Sequence, residues 1–227
     1  MASPPILSTD DHRRVSEAVA AAEAHSAGEI VTIIADRSDS YGDVALAWSA
    51  LAALLAVLAL AAAPEFYLGL YERLVGGWVH QWSPRELLTL AAAAATLKFG
   101  AVWLAQLWPP LRFLLILPSV KDARVRARAV ACFKVGAERR THGRTGILIY
   151  LSMREHRAEI VADAAIAGKV EPEVWGEAMA AMIAEIRAGR IADGMCAAVM
   201  RVGAVLAEHF PRAGDDQNEL PDRLIEV

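Results

Sequence analysis

Cysteine is nearly absent: the 227 residues hold two, Cys132 and Cys196, far apart and without C-x-x-C spacing. That excludes a disulfide framework and a cysteine-rich zinc site, and buried free thiols are the expectation. Nucleophile and metalloprotease signatures are missing too, since no G-x-S-x-G and no H-E-x-x-H occurs. Gly143-Arg144-Thr145-Gly146 lacks the Gly-Lys-Ser/Thr of a phosphate loop. His142, in Thr-His-Gly, precedes a strand and follows no arginine, so it does not form an Arg-His-Gly phosphatase motif. The remaining histidines, His12, His25, His80, His156 and His209, are scattered. Excess positive charge is absent as well. The net charge is −4, and the basic cluster after residue 112 has no interleaved aromatics on which bases would stack. Nucleic acid is therefore not an expected partner. The start, MASPPILSTDDHRR, has no basic stretch followed by an apolar run, so no cleavable signal peptide is expected.

The most consequential absence lies at residues 44–63, VALAWSALAALLAVLALAAA, which carry no charge at all. At about 1.5 Å of rise per residue this run extends roughly 30 Å as a helix, the thickness of a bilayer's hydrocarbon core. A core helix of a soluble domain has no need to be apolar on every face, so this is read as a transmembrane helix. A second apolar stretch, residues 87–108, is long enough to span and ends at Pro109-Pro110. Five of the six tryptophans, Trp48, Trp78, Trp82, Trp103 and Trp108, fall in or beside the two runs. The connection between them, rich in aromatics, is expected on the membrane surface. Lys98 sits inside the second run. A midplane lysine costs roughly 2.5–3.5 kcal/mol on insertion scales, which marks a functional cation. Snorkelling to the headgroups, or a shifted helix register, accounts for it equally well.

The flanks have soluble composition. Ser8-Thr9-Asp10-Asp11 starts a helix with Val15, Ala18, Val19 and Ala22 on one face. Residues 29–35, EIVTIIA, form a short β-branched run, nearly continuous in apolarity, that reads as a strand buried on both faces. Residues 145–151 and 157–163 read as a second buried strand and an antiparallel partner. A basic juxtamembrane helix precedes them, and two amphipathic helices follow, one starting near Pro172 and ending at Gly189, the other carrying Ile191, Met195, Ala198, Val202 and Leu206 inward. The tail is polar and expected to be loosely held. A single strand cannot bury both its faces, so the three strands must share one sheet. The domain then consists of residues 1–43 and 118–213, interrupted by a transmembrane hairpin at 44–117 and followed by a polar tail at 214–227. Eight Lys/Arg lie between Arg112 and Arg140, against Arg73 and Arg85 in the connection. The positive-inside rule then places the globular part in the cytoplasm, on a two-pass protein of the inner (plasma) membrane.

GEIVTIIADRSDSY (28–41), RTGILIYLSMREHRAEIVAD (144–163), the helix bearing Trp175 and the terminal NELPD (218–222) resemble the TPM-domain family. The resemblance is greatest to its branch of bacterial membrane proteins in which a hairpin interrupts the domain. It implies a small αβα sandwich, agreeing with the α/β reading above. Some members are described as acid phosphatases, some bind calcium, and others are auxiliary factors for photosystem II repair or receptor function. Asp36, Asp39 and Asp43 follow the first strand, where oxygen ligands could hold a hard cation such as calcium. Their spacing fits neither the helix–loop–helix calcium loop nor the D-x-D of aspartyl-phosphate phosphatases, and a polar linker explains them as well. Glu155, at the neighbouring strand end, is a further candidate ligand. No residue stands out as catalytic and no other cofactor is indicated. The expected function is a membrane-anchored module that binds or assembles with another protein. The alternative is a divalent-metal-dependent phosphomonoesterase.

Overall fold

The computed structural model describes residues 5–75, 82–136, 145–171, 173–212 and 220–227. Trp78, His80, Arg139, Arg140, His142, Pro172 and Asn218, all used above, lie outside them. The chain divides into two compact units, Met1–Asp39 with Pro118–Val227, and Ser40–Leu117.

The first unit is an αβα sandwich. Helix α1 (Thr9–Glu23) starts in a capping box in which the Ser8 hydroxyl accepts from the Asp11 N–H, and the Asp11 carboxylate accepts from the Ser8 N–H. Strand β1 (Glu29–Ala35) lies parallel to β2 (Gly146–Ser152), with Glu29 opposite Gly146, and β2 is antiparallel to β3 (Arg157–Ala162). Both central strands are buried at every residue, as continuous apolarity demands.

A fourth strand, β4 (Ile225–Glu226), pairs in parallel with the other edge of β1, giving the order β3-β2-β1-β4. This corrects the expectation of a loose tail for residues 220–227. Leu220 and Leu224 are buried, the Val227 N–H donates to the Ile34 carbonyl, and the Ile6 and Leu7 N–H groups donate to the Glu226 carboxylate.

Strand alternation splits the core into two layers. Val31, Ile33, Ala35, Leu148 and Tyr150 face α6 (Pro118–Gly136), which buries Val125, Ala129 and Phe133 at four-residue spacing. The basic residues occupy the rest of that helix, so it is a sandwich layer with a charged outer face. Ile30, Ile34, Ile147 and Ile149 point the other way, into a core shared with α1, the short α7 (Ala164–Ala167), α8 (Val174–Arg187) and α9 (Ile191–His209). Two glycines let α9 approach its neighbours. A Cβ at Gly203 would come within 2.6 Å of the Ala22 Cβ, and one at Gly194 within 2.8 Å of the Met182 carbonyl oxygen. Cys132 and Cys196 are free and half-buried.

The second unit contains α2 (Gly42–Ala62) and α4 (Pro84–Ala105), both long and apolar enough to cross a membrane. The second helix starts three residues earlier than expected because Ser83 and Glu86 form a capping box with Pro84 at the first position. α2 buries only Ala45 and Ser49 and α4 buries nothing, and Leu51, Leu54, Leu55, Leu58, Leu88 and Leu97 stand exposed. The connection contains α3 (Pro64–Val75), tied to the start of α4 by Trp82, whose Nε1 donates to Glu72 at 3.0 Å and whose ring meets Tyr71 edge-on. Helix α5 (Pro109–Leu115) closes the unit.

Joining residues 1–39 to 118–227 through a short Gly/Ser linker is expected to give a soluble sandwich that melts cooperatively. Residues 118–227 alone, stripped of the strand between β2 and β4, should not. Circular-dichroism melting of both checks this, and equal cooperativity in the shorter chain would refute it. In the joined sandwich, deleting residues 220–227 should cost about 3 kcal/mol, the scale of burying two leucines.

Candidate functional site

In sheets with parallel strands, ligands gather at the carboxyl ends of the strands. Here that edge is formed by the residues after β1 and β2. The Met153 N–H donates to the Ala35 carbonyl and the Arg154 N–H to the Asp36 carbonyl, so the two segments continue side by side beyond the strands. His156 turns the chain back with φ of 52°, in the left-handed region.

A connected polar network lies beneath this edge. The Ser38 N–H donates to the Glu155 carboxylate at 3.1 Å, and the Ser38 hydroxyl meets the Tyr150 hydroxyl at 3.0 Å and donates to Ser152 at 2.9 Å. The Ser152 hydroxyl in turn donates to Glu155. Tyr150, Ser152 and Glu155 are all fully buried or nearly so. Burial pushes the Tyr150 phenol above its usual range, partly offset by its bond to Ser38. The arrangement resembles a hydroxyl–carboxylate pair, yet Tyr150, Ser152 and Glu155 are closed off from solvent, Ser38 is half-buried, and the four engage one another. Its physical effect is to lock the end of β1 to the hairpin turn.

The three acids singled out in the sequence occupy different settings. Asp36 accepts from Arg154 Nε with both oxygens, each at 3.0 Å. Asp39 lies 3.2 Å from the Arg124 guanidinium. Asp43 stands in the first turn of α2, in the other unit. Glu155, the further candidate, is held by Ser38 and Ser152. Among the described residues, no three His, Cys, Asp or Glu side chains gather in a way that could hold a metal ion. Asp36 and Asp39 therefore balance arginines at the rim, an arrangement suited to fixing loops and to charged recognition.

The opposite edge of the sheet holds a feature the sequence reading missed. Glu23 is buried at the end of α1, where its Oε1 accepts from the Ile30 N–H at 2.6 Å. The neighbouring Glu29 carboxylate accepts from the Leu220 N–H at 3.1 Å. Burial raises the Glu23 carboxyl to about 8, the Ile30 N–H opposes this, and the nearby Glu29 and Asp222 carboxylates add to the rise. The signal was present in the sequence: Glu23 falls four residues after Val19, on the apolar stripe of α1.

Lys98 is exposed on α4, and the helix hairpin has its own polar joint elsewhere. The Gln106 amide donates to the Ala45 carbonyl at 3.2 Å, to the Ser49 hydroxyl at 3.3 Å and to the Val102 carbonyl at 3.2 Å. Arg112 Nε donates to the Gln106 carbonyl at 2.9 Å.

A mixed four-stranded sheet covered by helices on both faces defines an αβα sandwich with a helical hairpin inserted after its first strand. The family model described as TPM domain matches residues 113–205 of the chain. Strand β1, helix α1 and strand β4 lie outside the match, yet they complete its sheet and core. The fold is similar to the NMR structure of the BA42 protein from the psychrophilic bacterium Bizionia argentinensis. The TM-score is 0.57 at 15% identity, covering 100% of this chain and 99% of that one. No curated protein matches the chain.

The Glu23 carboxyl gives a prediction with a definite sign. Folded, it keeps a proton that the unfolded chain releases near its ordinary value of 4.5. The folded state binds more protons between that value and about 8, so stability falls as pH rises through this window and is flat above it. Glu23→Gln keeps the acceptor for Ile30 and cannot ionise. In the joined sandwich it should raise Tm at pH 8 by about 5 °C, for a gain on the order of 2 kcal/mol. At pH 4.5 it should change little. A gain of equal size at both values would show that ionisation of Glu23 is not its source.

Proposed function

We propose that this chain is a membrane-anchored TPM-like domain that serves as a binding or assembly module for another protein. Two passes through the inner membrane hold it there, with the sandwich in the cytoplasm. The observation supporting the module is an apolar groove of about 410 Å³ between α1 and α9, on the outer side of the sandwich. Ala18, Ala22 and His25 form one wall, Gly203 and Ala207 the other, and Met200 stands on the rim 62% exposed. Ala22 and Gly203 meet as its floor, so the small side chains leave a shallow apolar trough over the helix contact, and a flexible, polarisable methionine on its rim adapts to what lies on it. One turn before Ala18 on α1, Arg14 pairs with Asp193 of α9, which Arg190 also approaches. Such a centre with a polar surround matches the usual build of a protein-binding patch.

The phosphomonoesterase alternative requires acids free to take a cation. It is disfavoured by the arginines on Asp36 and Asp39. A rise in Tm with millimolar calcium should accordingly be small, since stabilisation scales as RT ln(1 + [L]/Kd). A rise of many degrees that Asp36→Asn/Asp39→Asn abolishes, with phosphomonoester turnover lost in the same variant, would reinstate the enzyme.

The module reading is tested by photo-crosslinking from position 200 in native membranes. A defined adduct should form and fall at least tenfold on Ala18→Arg, whose side chain fills the groove, with melting of the joined sandwich unchanged. An adduct indifferent to Ala18→Arg would sink the groove. Sidedness is tested separately with reporter fusions. Alkaline phosphatase should be inactive when fused after Val227 and active when inserted between residues 75 and 82; the reverse pattern would invert the topology.

A further inference from the structure

The apolar hairpin unit carries a second groove, of about 590 Å³, within the range of small-molecule sites. Ala56, Ala59 and Leu60 of α2, Leu70 and Tyr71 of α3, and Leu90, Ala94 and Leu97 of α4 give it three walls. Its lining includes one charged residue, Lys98. No described carboxylate pairs with the Lys98 ammonium, and no acid lines the groove. Lys98 stands seven residues before Ala105, about 10 Å of helix rise. The end of α4 is marked as polar by the Gln106 amide and by Arg112 on its carbonyl. A lysine stem at that depth can bring its ammonium to a lipid phosphate while its methylenes stay against apolar surface.

We propose, resting on the membrane reading above, that this groove is a binding site for one anionic diacyl phospholipid. One acyl chain lies along the alanine and leucine walls, and the lipid phosphate accepts from the Lys98 ammonium. Charge complementarity selects this occupant. A lone cation beside an apolar trough is matched by a molecule with a long apolar chain and a negative head. A zwitterionic lipid brings its own cation to compete with Lys98 for the phosphate. A helix from a second copy would have to bring an acid; α2 and α4 carry theirs in their first turns, as α3 does Glu65, and Glu72 of α3 already accepts from Trp82.

The test uses the full-length chain reconstituted in an equimolar mixture of phosphatidylglycerol and phosphatidylcholine, then extracted in mild detergent. Retained lipid is counted by mass spectrometry. Phosphatidylglycerol should be enriched about fivefold or more, the scale of one charge-assisted contact. Lys98→Gln should return the ratio to that of the mixture, Lys98→Arg should keep it, and Arg85→Gln, outside the groove, should leave it unchanged. Ala94→Trp should reduce retention of both lipids by filling the trough. An enrichment that survives Lys98→Gln, or equal retention of both lipids by the natural chain, overturns the site. Extraction of cell membranes with alkaline carbonate separates the two readings. A chain that stays in the pellet but shows no lipid preference defeats the groove alone, whereas release into the supernatant defeats the membrane reading and the lipid site with it.

Discussion

Everything in the sandwich depends on the parallel pairing of β1 with β2, made across more than a hundred residues of intervening chain. β1 has no local partner: it follows α1 and leads into α2. Its seven residues are buried throughout, so their backbone groups must find protein partners. β2 on one side and β4 on the other supply them. Side chains of alternating residues then fill both layers, Ile30 and Ile34 toward α1 and α9, Val31 and Ile33 toward α6. Removing β1 would separate the two edges of the sheet and expose both cores together.

What the sequence revealed follows from the strength of each local pattern. Strands β1 and β2 were legible because they are continuous apolar runs with turn residues on either side. The two long apolar helices stood out because nothing else explains so many uncharged residues in succession. β4 was not legible: two residues form no pattern, and Leu220 and Leu224 sit among charges. Only the open edge of β1 makes them a strand. α3 was missed because its face is defined by α2 and α4, not by its own flanks.

The same limit applies to the candidate site. Asp36 and Asp39 attracted notice as acids after a strand, but their partners, Arg154 and Arg124, come from segments far along the chain. Ser38, Ser152 and Glu155 gave no motif, because the network exists only once β1 and β2 end together. Hydroxyls are common in turns, and nothing in their spacing distinguishes a buried pair from a solvated one. Glu23 is the exception, since an acid on an apolar stripe is a local contradiction that a sequence can show. Such contradictions survive in folded proteins when a proton or a hydrogen bond compensates them, and here the Ile30 N–H and the raised affinity for a proton do so.

An insertion between β1 and α6 is tolerable only if it closes on itself. Within the sandwich, the residue before the insertion, Asp39, is tied to Arg124 in the second turn of α6, so the chain leaves and returns at neighbouring points. Within the hairpin unit, Gln106 joins the end of α4 to Ala45 and Ser49 at the start of α2, and Arg112 reaches the Ser40 carbonyl at 3.4 Å. Each unit thus fastens its own two ends with polar contacts, and neither needs the other to bring them together. Within the hairpin unit Tyr41 precedes α2, held in the left-handed region with φ of 53°. That conformation costs a non-glycine residue roughly 1–2 kcal/mol, and the buried ring, edge-on to Phe113, offsets it. The consequence for evolution is physical: a two-stranded parallel core accepts a long excursion whose ends are fixed independently, because closure entropy grows only slowly with the length of the loop.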